Sequence, residues 1–145
     1  ARSVDLTSNA WAYHGLACLY LKSDPEKAKQ FIMEGMELQR ERLSYQKEGF
    51  KILEKCGAYK EIDEEYKKQT AENQKNGRIQ YYYVAALEKL ERNEEAYHLL
   101  NDGDGIDVSD IREGDSDIQS IWESLHEKVY GEKGHLPHYY NFKVN

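Results

Sequence analysis

Lys47, Lys51 and Lys55 stand four residues apart, so a helix that carries them sets three ammonium groups on one face. Such a row can seat a carboxylate or an acidic peptide, on a chain whose net charge is -7. The plainer reading of the same residues is an ordinary solvated lysine face. The other groupings fall short of chemistry. His135 and His138 flank Pro137 at a spacing that can serve metals, but no Cys or acid completes a ligand pattern, and Pro137 excludes a regular helix interior. Seven acids lie within the sixteen residues from Asp102 to Asp117. A calcium loop started at Asp102 puts Glu113 at position 12, yet Ile106 takes position 5, where an oxygen is needed, and Asp107 takes the glycine position. The segment therefore reads as a solvated acidic linker. Carboxylate pairs such as Glu64 with Glu65 and Glu94 with Glu95 lie on polar stretches, without the desolvated concavity that general acid work needs. There is no Gly-rich phosphate loop and no nucleophile motif. The sequence predicts no catalytic residue, no metal site and no cofactor, and hence a chain that is not an enzyme.

The elements that would position these residues follow one spacing. Leu19, Leu53 and Leu87 stand 34 residues apart, as do Leu16, Phe50 and Val84. Ala28, Ile62 and Ala96 keep the same step, and so do Ile32, Tyr66 and Leu100. Each repeat divides into two helices. In the first, Ser8 or Asn9 can cap a helix marked by Trp11, Gly15, Leu16 and Leu19 and running to about Lys22. Asp24-Pro25-Glu26-Lys27 then opens a second helix, with an Asp cap, Pro in the first turn and acid at the positive dipole end. It carries Ala28, Phe31, Ile32, Gly35 and Leu38 inward. The second repeat uses Tyr45, Gly49, Phe50, Ile52 and Leu53, and stops at Gly57. Its second helix, with Tyr59, Ile62 and Tyr66, decays into the polar stretch 67–76, expected to be solvated. The third repeat follows Asn76-Gly77 with Ile79, Tyr83, Val84 and Leu87, and its second helix is short. Ile118, Ile121, Trp122, Leu125 and Val129 form an apolar stripe on a last helix, which is expected to cap the array.

The 34-residue period, with Trp11, Gly15-Leu16, Leu19-Tyr20 and Pro25-Glu26-Lys27-Ala28, resembles the tetratricopeptide repeat, in which paired helices stack and share a core. The later repeats are looser: Ile62 stands where Ala is usual, and no Pro closes the second helix. The resemblance implies an all-α fold, a right-handed superhelix of about seven helices with a capping helix and an irregular tail. The expected divisions are 1–8 as the end of a preceding repeat, 9–101 as three helix pairs, 102–116 as the acidic linker, 117–130 as the cap and 131–145 as the tail. The opening residues thus lead to the expectation of a piece cut from a longer chain. Asp110-Ile111-Arg112-Glu113-Gly114-Asp115, Ile121-Trp122, Leu136-Pro137 and Asn141-Phe142 are also similar to the end of a bacterial family of unknown function. There a sugar-epimerase-like β-sandwich precedes C-terminal tetratricopeptide repeats, which implies that any carbohydrate chemistry belongs to a β domain outside these residues.

In tetratricopeptide arrays the first helix of each pair lines a concave groove. Transferred here by the 34-residue step, that implies a binding surface of Tyr13 and Tyr20, Lys47, Lys51 and Lys55, and Arg78 and Tyr81. Ala17, Leu21, Glu54, Ala85, Glu88 and Lys89 complete its lining. Ala17 stands where carboxylate-clamping arrays carry an asparagine, which argues against that ligand. The implied function is a non-catalytic interaction or scaffold module, whose partner is a peptide or a protein domain, the N-terminal part of its own parent chain among them. The alternative is an accessory or oligomerisation domain of a multidomain carbohydrate-active enzyme.

Composition narrows the partners further. Charged residues make up 32% of the 145, mean hydropathy is -0.91, and the longest apolar run, Leu16 to Leu21, is too short to span a bilayer. The acidic balance argues against nucleic acid. Cys18 and Cys56, without paired-ligand spacing, read as buried or partly buried thiols in a reducing, cytoplasmic compartment.

Overall fold

The computed structural model describes residues 6–102, 105–106 and 118–132. Every regular element among them is helical. In order these are α1 (Leu6–Tyr20), α2 (Pro25–Leu38), α3 (Leu43–Lys55), α4 (Tyr59–Lys67) and the short α5 (Ala71–Gln74). Then come α6 (Gly77–Lys89), α7 (Asn93–Asn101) and α8 (Ile118–Tyr130). The chain divides into two units, Ala1–Asn73 and Gln74–Asn145.

Local chemistry sets the helix ends. Asp24 accepts the Lys27 N–H at 3.1 Å, and Pro25 occupies the first turn of α2, where its missing N–H has no bond to lose. Asn76 caps α6 by accepting the N–H groups of Arg78 and Ile79 at 3.0 and 3.1 Å. α3 closes with Gly57 in the left-handed region at φ 69°. The Gly57 N–H reaches the Glu54 carbonyl and the Ala58 N–H reaches the Leu53 carbonyl, both at 2.9 Å, so two otherwise orphaned carbonyls are satisfied. The end of α6, 34 residues on, repeats that motif with a different residue: Glu91 is left-handed at φ 63°. Its N–H reaches the Glu88 carbonyl at 3.0 Å, and the Arg92 N–H reaches the Leu87 carbonyl at 2.9 Å.

In the first unit, α2 and α3 interlock through two glycines. The Tyr45 ring and hydroxyl fill the space that a Cβ on Gly35 would need, and the Met36 side chain fills that of Gly49. The buried Tyr45 hydroxyl donates to the Ala10 carbonyl at 2.6 Å, tying α3 to α1. Ala28, Ile32, Phe50, Leu53 and Ile62 complete the apolar core. Removing this much apolar surface from water is the main favourable contribution to the packing.

A polar cluster lies beside that core. Gln46, fully buried, donates to the carbonyls of Met36 at 3.0 Å and Gln39 at 2.7 Å, which frees the end of α2 from needing water. Its own carbonyl accepts from Gln69 at 2.7 Å, and Asn73 donates to Gln69 at 3.3 Å. Arg40 donates to the buried Glu65 carboxylate at 2.7 Å. The polar stretch expected to be solvated is therefore partly interior: Gln69 and Asn73 are buried. Period alone misses this, because each buried amide is satisfied by another polar side chain rather than by apolar packing.

In the second unit, α6 and α7 bury Ile79, Val84, Leu87, Ala96 and Leu100, and α8 adds Ile118, Trp122 and Leu125. Trp122 donates from Nε1 to Asn101 Oδ1 at 2.9 Å and stacks on His126 with ring centroids 5.0 Å apart. Ser124 and Lys128 both reach the Glu88 carboxylate, at 2.8 and 3.2 Å. Within the stretch 117–130, Ile118–Tyr130 is a helix that packs on α7 and α6.

Three further expectations change. α1 begins at Leu6, ahead of Ser8 and Asn9, which lie within its helical turns. The four-residue α5 brings the helices among the described residues to eight, where about seven were expected for the chain. Cys18 is exposed rather than buried, while Cys56 is half-buried; both are free thiols. The tail with His135 and His138, and most of the acidic linker, lie outside the described residues.

Candidate interaction surface

Tyr13 and Tyr20 lie seven residues apart on α1, two turns along one side. Both converge on Phe31 of α2, with ring centroids 6.2 and 5.8 Å away. Lys27 adds its ammonium over the Tyr20 ring at 4.8 Å from the centroid, a cation–π contact on the outer turn of α2. The two tyrosines are half-buried, so their rings are held by α2 and only part of each faces out. Transfer of positions along first helices alone misses Phe31 and Lys27. Lys27 and Phe31 lie one turn apart on α2, but that spacing does not tie them to Tyr13 and Tyr20.

The lysine row lies on α3. Lys51 and Lys55 are exposed and Lys47 is half-buried. Among them sits Glu54, whose carboxyl burial pushes up from its ordinary range, while neighbouring Lys55 pulls it back down. A desolvated acid within a basic row reduces the row's net charge only when it ionises. Two further cations on this unit are already engaged: Lys29 pairs with Glu26 and Glu61 at 3.0 and 3.3 Å, and Arg40 with Glu37 and Glu65. The hydrogen bond to Glu26 raises the Lys29 ammonium pKa, burial opposes it, and Glu61 adds to the rise.

Arg78 and Tyr81 belong to the second unit, on α6. Both are half-buried, and Tyr81 packs edge-on against Tyr82 with centroids 6.0 Å apart. The structure therefore gathers the proposed residues into an aromatic pair on α1, a lysine row on α3 and an Arg-Tyr pair on α6. α1 and α3 are joined elsewhere by His14 and Glu48, at 3.2 Å between Nε2 and Oε1. The last helix contributes a second aromatic cluster, which the sequence pattern did not single out. There Tyr97 bonds His126 Nδ1 at 2.9 Å, and its ring lies 5.4 Å from that of exposed Tyr130.

Among the described residues no three His, Cys, Asp or Glu side chains gather as a metal site, and no helix is long and apolar enough to cross a membrane. No family model, characterised protein or solved structure shows a significant match to the chain.

Proposed function

We propose that this chain is a non-catalytic scaffold of tetratricopeptide-like helix pairs, stacked with a right-handed twist, that binds an acidic peptide or protein segment through the first helices of its pairs. The observation that carries the reading is the recurrence of the 34-residue step in three dimensions. Phe50 and Val84, Leu53 and Leu87, and Ile62 and Ala96 are buried as equivalent pairs, and Gly57 and Glu91 close equivalent helices with the same left-handed turn. A repeated unit of this kind presents a repeated surface. In the first unit Tyr13 and Tyr20 supply aromatic area and Lys51 and Lys55 accessible positive charge on an acidic protein, and in the second unit Tyr81 supplies a further ring.

The test uses a displayed library of random peptides selected on the full chain, followed by binding of the enriched peptides at low and moderate salt. The scaffold reading expects acidic residues to be enriched and Lys51→Glu with Lys55→Glu to abolish binding, with the circular dichroism spectrum unchanged. Unchanged affinity and unchanged salt dependence in that variant would return the row to an ordinary solvated face.

A further inference from the structure

Where α1 meets α3, one cluster joins a thiol, an imidazole and a carboxylate. His14 and Cys18 stand four residues apart on α1, so one helical turn makes them neighbours. The Cys18 Sγ lies 3.9 Å from His14 Nδ1. Across the same ring, Nε2 lies 3.2 Å from a carboxylate oxygen of Glu48 on α3. Two aromatic rings steady the imidazole: Trp11 meets it edge to face at 5.1 Å between centroids, and Tyr45 does so at 6.3 Å. The Tyr45 hydroxyl is committed to the Ala10 carbonyl, which leaves the ring to its two polar partners.

The pairing sets the roles. An ionised carboxylate only accepts, so the hydrogen shared with Glu48 belongs to Nε2. Nδ1 of the neutral ring is then the acceptor, and the thiol beside it is the donor. A nucleophile within reach of a base, and a third group that orients the base, is the arrangement that activates a weak nucleophile. The His14 side chain is only 22% exposed, whereas Cys18 is open to a reagent. Cys56 is the contrast within the same chain: it is half-buried, and burial pushes its thiol pKa up while Lys29 opposes the rise. Spacing in the sequence hides the cluster, because Glu48 lies one whole period away from His14.

We infer that Cys18, with His14 as its base and Glu48 as the residue that positions that base, is a reactive thiol that forms a mixed disulfide with a small uncharged disulfide. The reagent is uncharged because the stretch from Leu6 to Leu21 holds no Asp, Glu, Lys or Arg to recognise a charged one. As the Cys18 sulfur attacks, His14 Nδ1 takes the thiol proton, and the imidazolium so formed lies against the Glu48 carboxylate. The S–S bond of the reagent breaks as the bond to Cys18 forms. The departing sulfur takes the proton back from Nδ1 and leaves as a thiol, so the ring ends neutral. Cys18 is oxidised and the departing sulfur reduced, with no further reactant. The reaction is stoichiometric, and it does not depend on the binding of an acidic peptide.

The experiment adds excess hydroxyethyl disulfide to the full chain at neutral pH and follows the mixed disulfide at each cysteine by mass spectrometry. The same chain unfolded in urea is the reference, because there Cys18 is fully accessible and His14 is no longer held beside it. Cys18 is expected to react about tenfold or more faster in the folded chain than in the unfolded one, and Cys56 to react more slowly when folded. His14→Gln should bring Cys18 down to the unfolded rate with an unchanged circular dichroism spectrum. Glu48→Ala should slow it as well. In that variant the nitrogen NMR signals of His14 should show the hydrogen shared between both ring nitrogens, where the parent keeps it on Nε2, a change that lost packing alone would not produce. Cys18 reacting no faster in the folded chain than in the unfolded one would overturn the inference, since exposure alone would account for its rate. A His14→Gln chain that keeps the parent's rate would overturn it too.

Discussion

Trp11 and Tyr45 meet edge to face with ring centroids 4.8 Å apart, although 34 residues separate them in sequence. His14 and Glu48, again one period apart, touch at 3.2 Å. At these two positions the repeat step is a contact within the first unit, a residue of α1 lying against its own counterpart on α3. Tyr45 is the pivot of that arrangement, with Trp11 at its edge, Ala10 accepting its hydroxyl and Gly35 beneath its ring. Burial raises the pKa of its phenol above the ordinary range, so it is a neutral donor at neutral pH.

The first prediction concerns the close approach beneath that ring. Gly35→Ala forces a Cβ into the Tyr45 side chain, and Tyr45 cannot swing away without breaking its bond to Ala10. Helix propensity alone would favour Ala in the interior of α2 by up to about 1 kcal/mol. Overpacking is expected to win, for a net loss of roughly 1–3 kcal/mol. Urea denaturation of Gly35→Ala, alone and with Tyr45→Phe, measures the coupling. A Gly35→Ala protein as stable as the parent would mean that α2 and α3 sit farther apart than described.

The sequence pattern carried the second and third helix pairs well because their buried faces are apolar and recur at a fixed step. Tyr45, Gly49, Phe50, Ile52 and Leu53 lie inside as expected, as do Ile79, Tyr83, Val84 and Leu87. It misjudged α1, where Trp11, Leu16 and Leu19 have the right residue types and yet remain exposed. Periodicity reports which side of a helix is apolar, and whether anything covers that side depends on neighbours that the period cannot name. It also misjudged Gln69 and Asn73 in the stretch 67–76, because a buried polar cluster has the composition of a surface. For the interaction surface, the spacing placed the lysines on one helix face, but it gave no sign that Tyr13 and Tyr20 rest on Phe31 or that Glu54 is desolvated.

Trp122→Ala tests the last helix. The side chain is 4% exposed, its indole N–H is bonded to Asn101, and its ring lies 5.9 Å from Tyr97. Truncating a buried Trp typically costs roughly 3–5 kcal/mol, and here it also strands the Asn101 carbonyl. The expected outcome is a large fall in the urea midpoint, with loss of the near-ultraviolet signal from the Trp122–His126 stack. An unchanged midpoint with an unchanged slope would mean that α8 contributes little to the second unit.

Glu54→Gln should separate from the parent protein as pH rises. Burial raises the Glu54 pKa in the folded state, so folding favours its protonated form. The contribution of this group to stability is fully present below the unfolded value, about 4.3. It is lost as pH rises through the higher folded value, where the buried carboxyl must ionise. Glutamine keeps the shape without the charge, so the variant is expected to be the more stable of the two at neutral pH. The two proteins should converge in acid. Equal urea midpoints at both pH values would mean that Glu54 is solvated when the protein is folded.

The two left-handed helix ends make opposite predictions at equivalent positions. Gly57 adopts φ 69° as only glycine does easily, and a Cβ there meets no atom within 4 Å, so the penalty for Gly57→Ala is conformational alone. A left-handed L-residue costs roughly 1–2 kcal/mol, and Gly57→Ala should lose about that much. Glu91 already bears this strain at φ 63°. Glu91→Gly is therefore expected to stabilise the protein by about 1 kcal/mol, the relief being partly offset by the greater freedom of glycine in the unfolded chain. Glu91→Ala is the control: it removes the same side-chain charge and keeps the strain, so it should gain little. If Ala and Gly at this position raise the urea midpoint equally, the effect comes from the lost carboxylate, and the equivalence of the two helix ends has no energetic consequence.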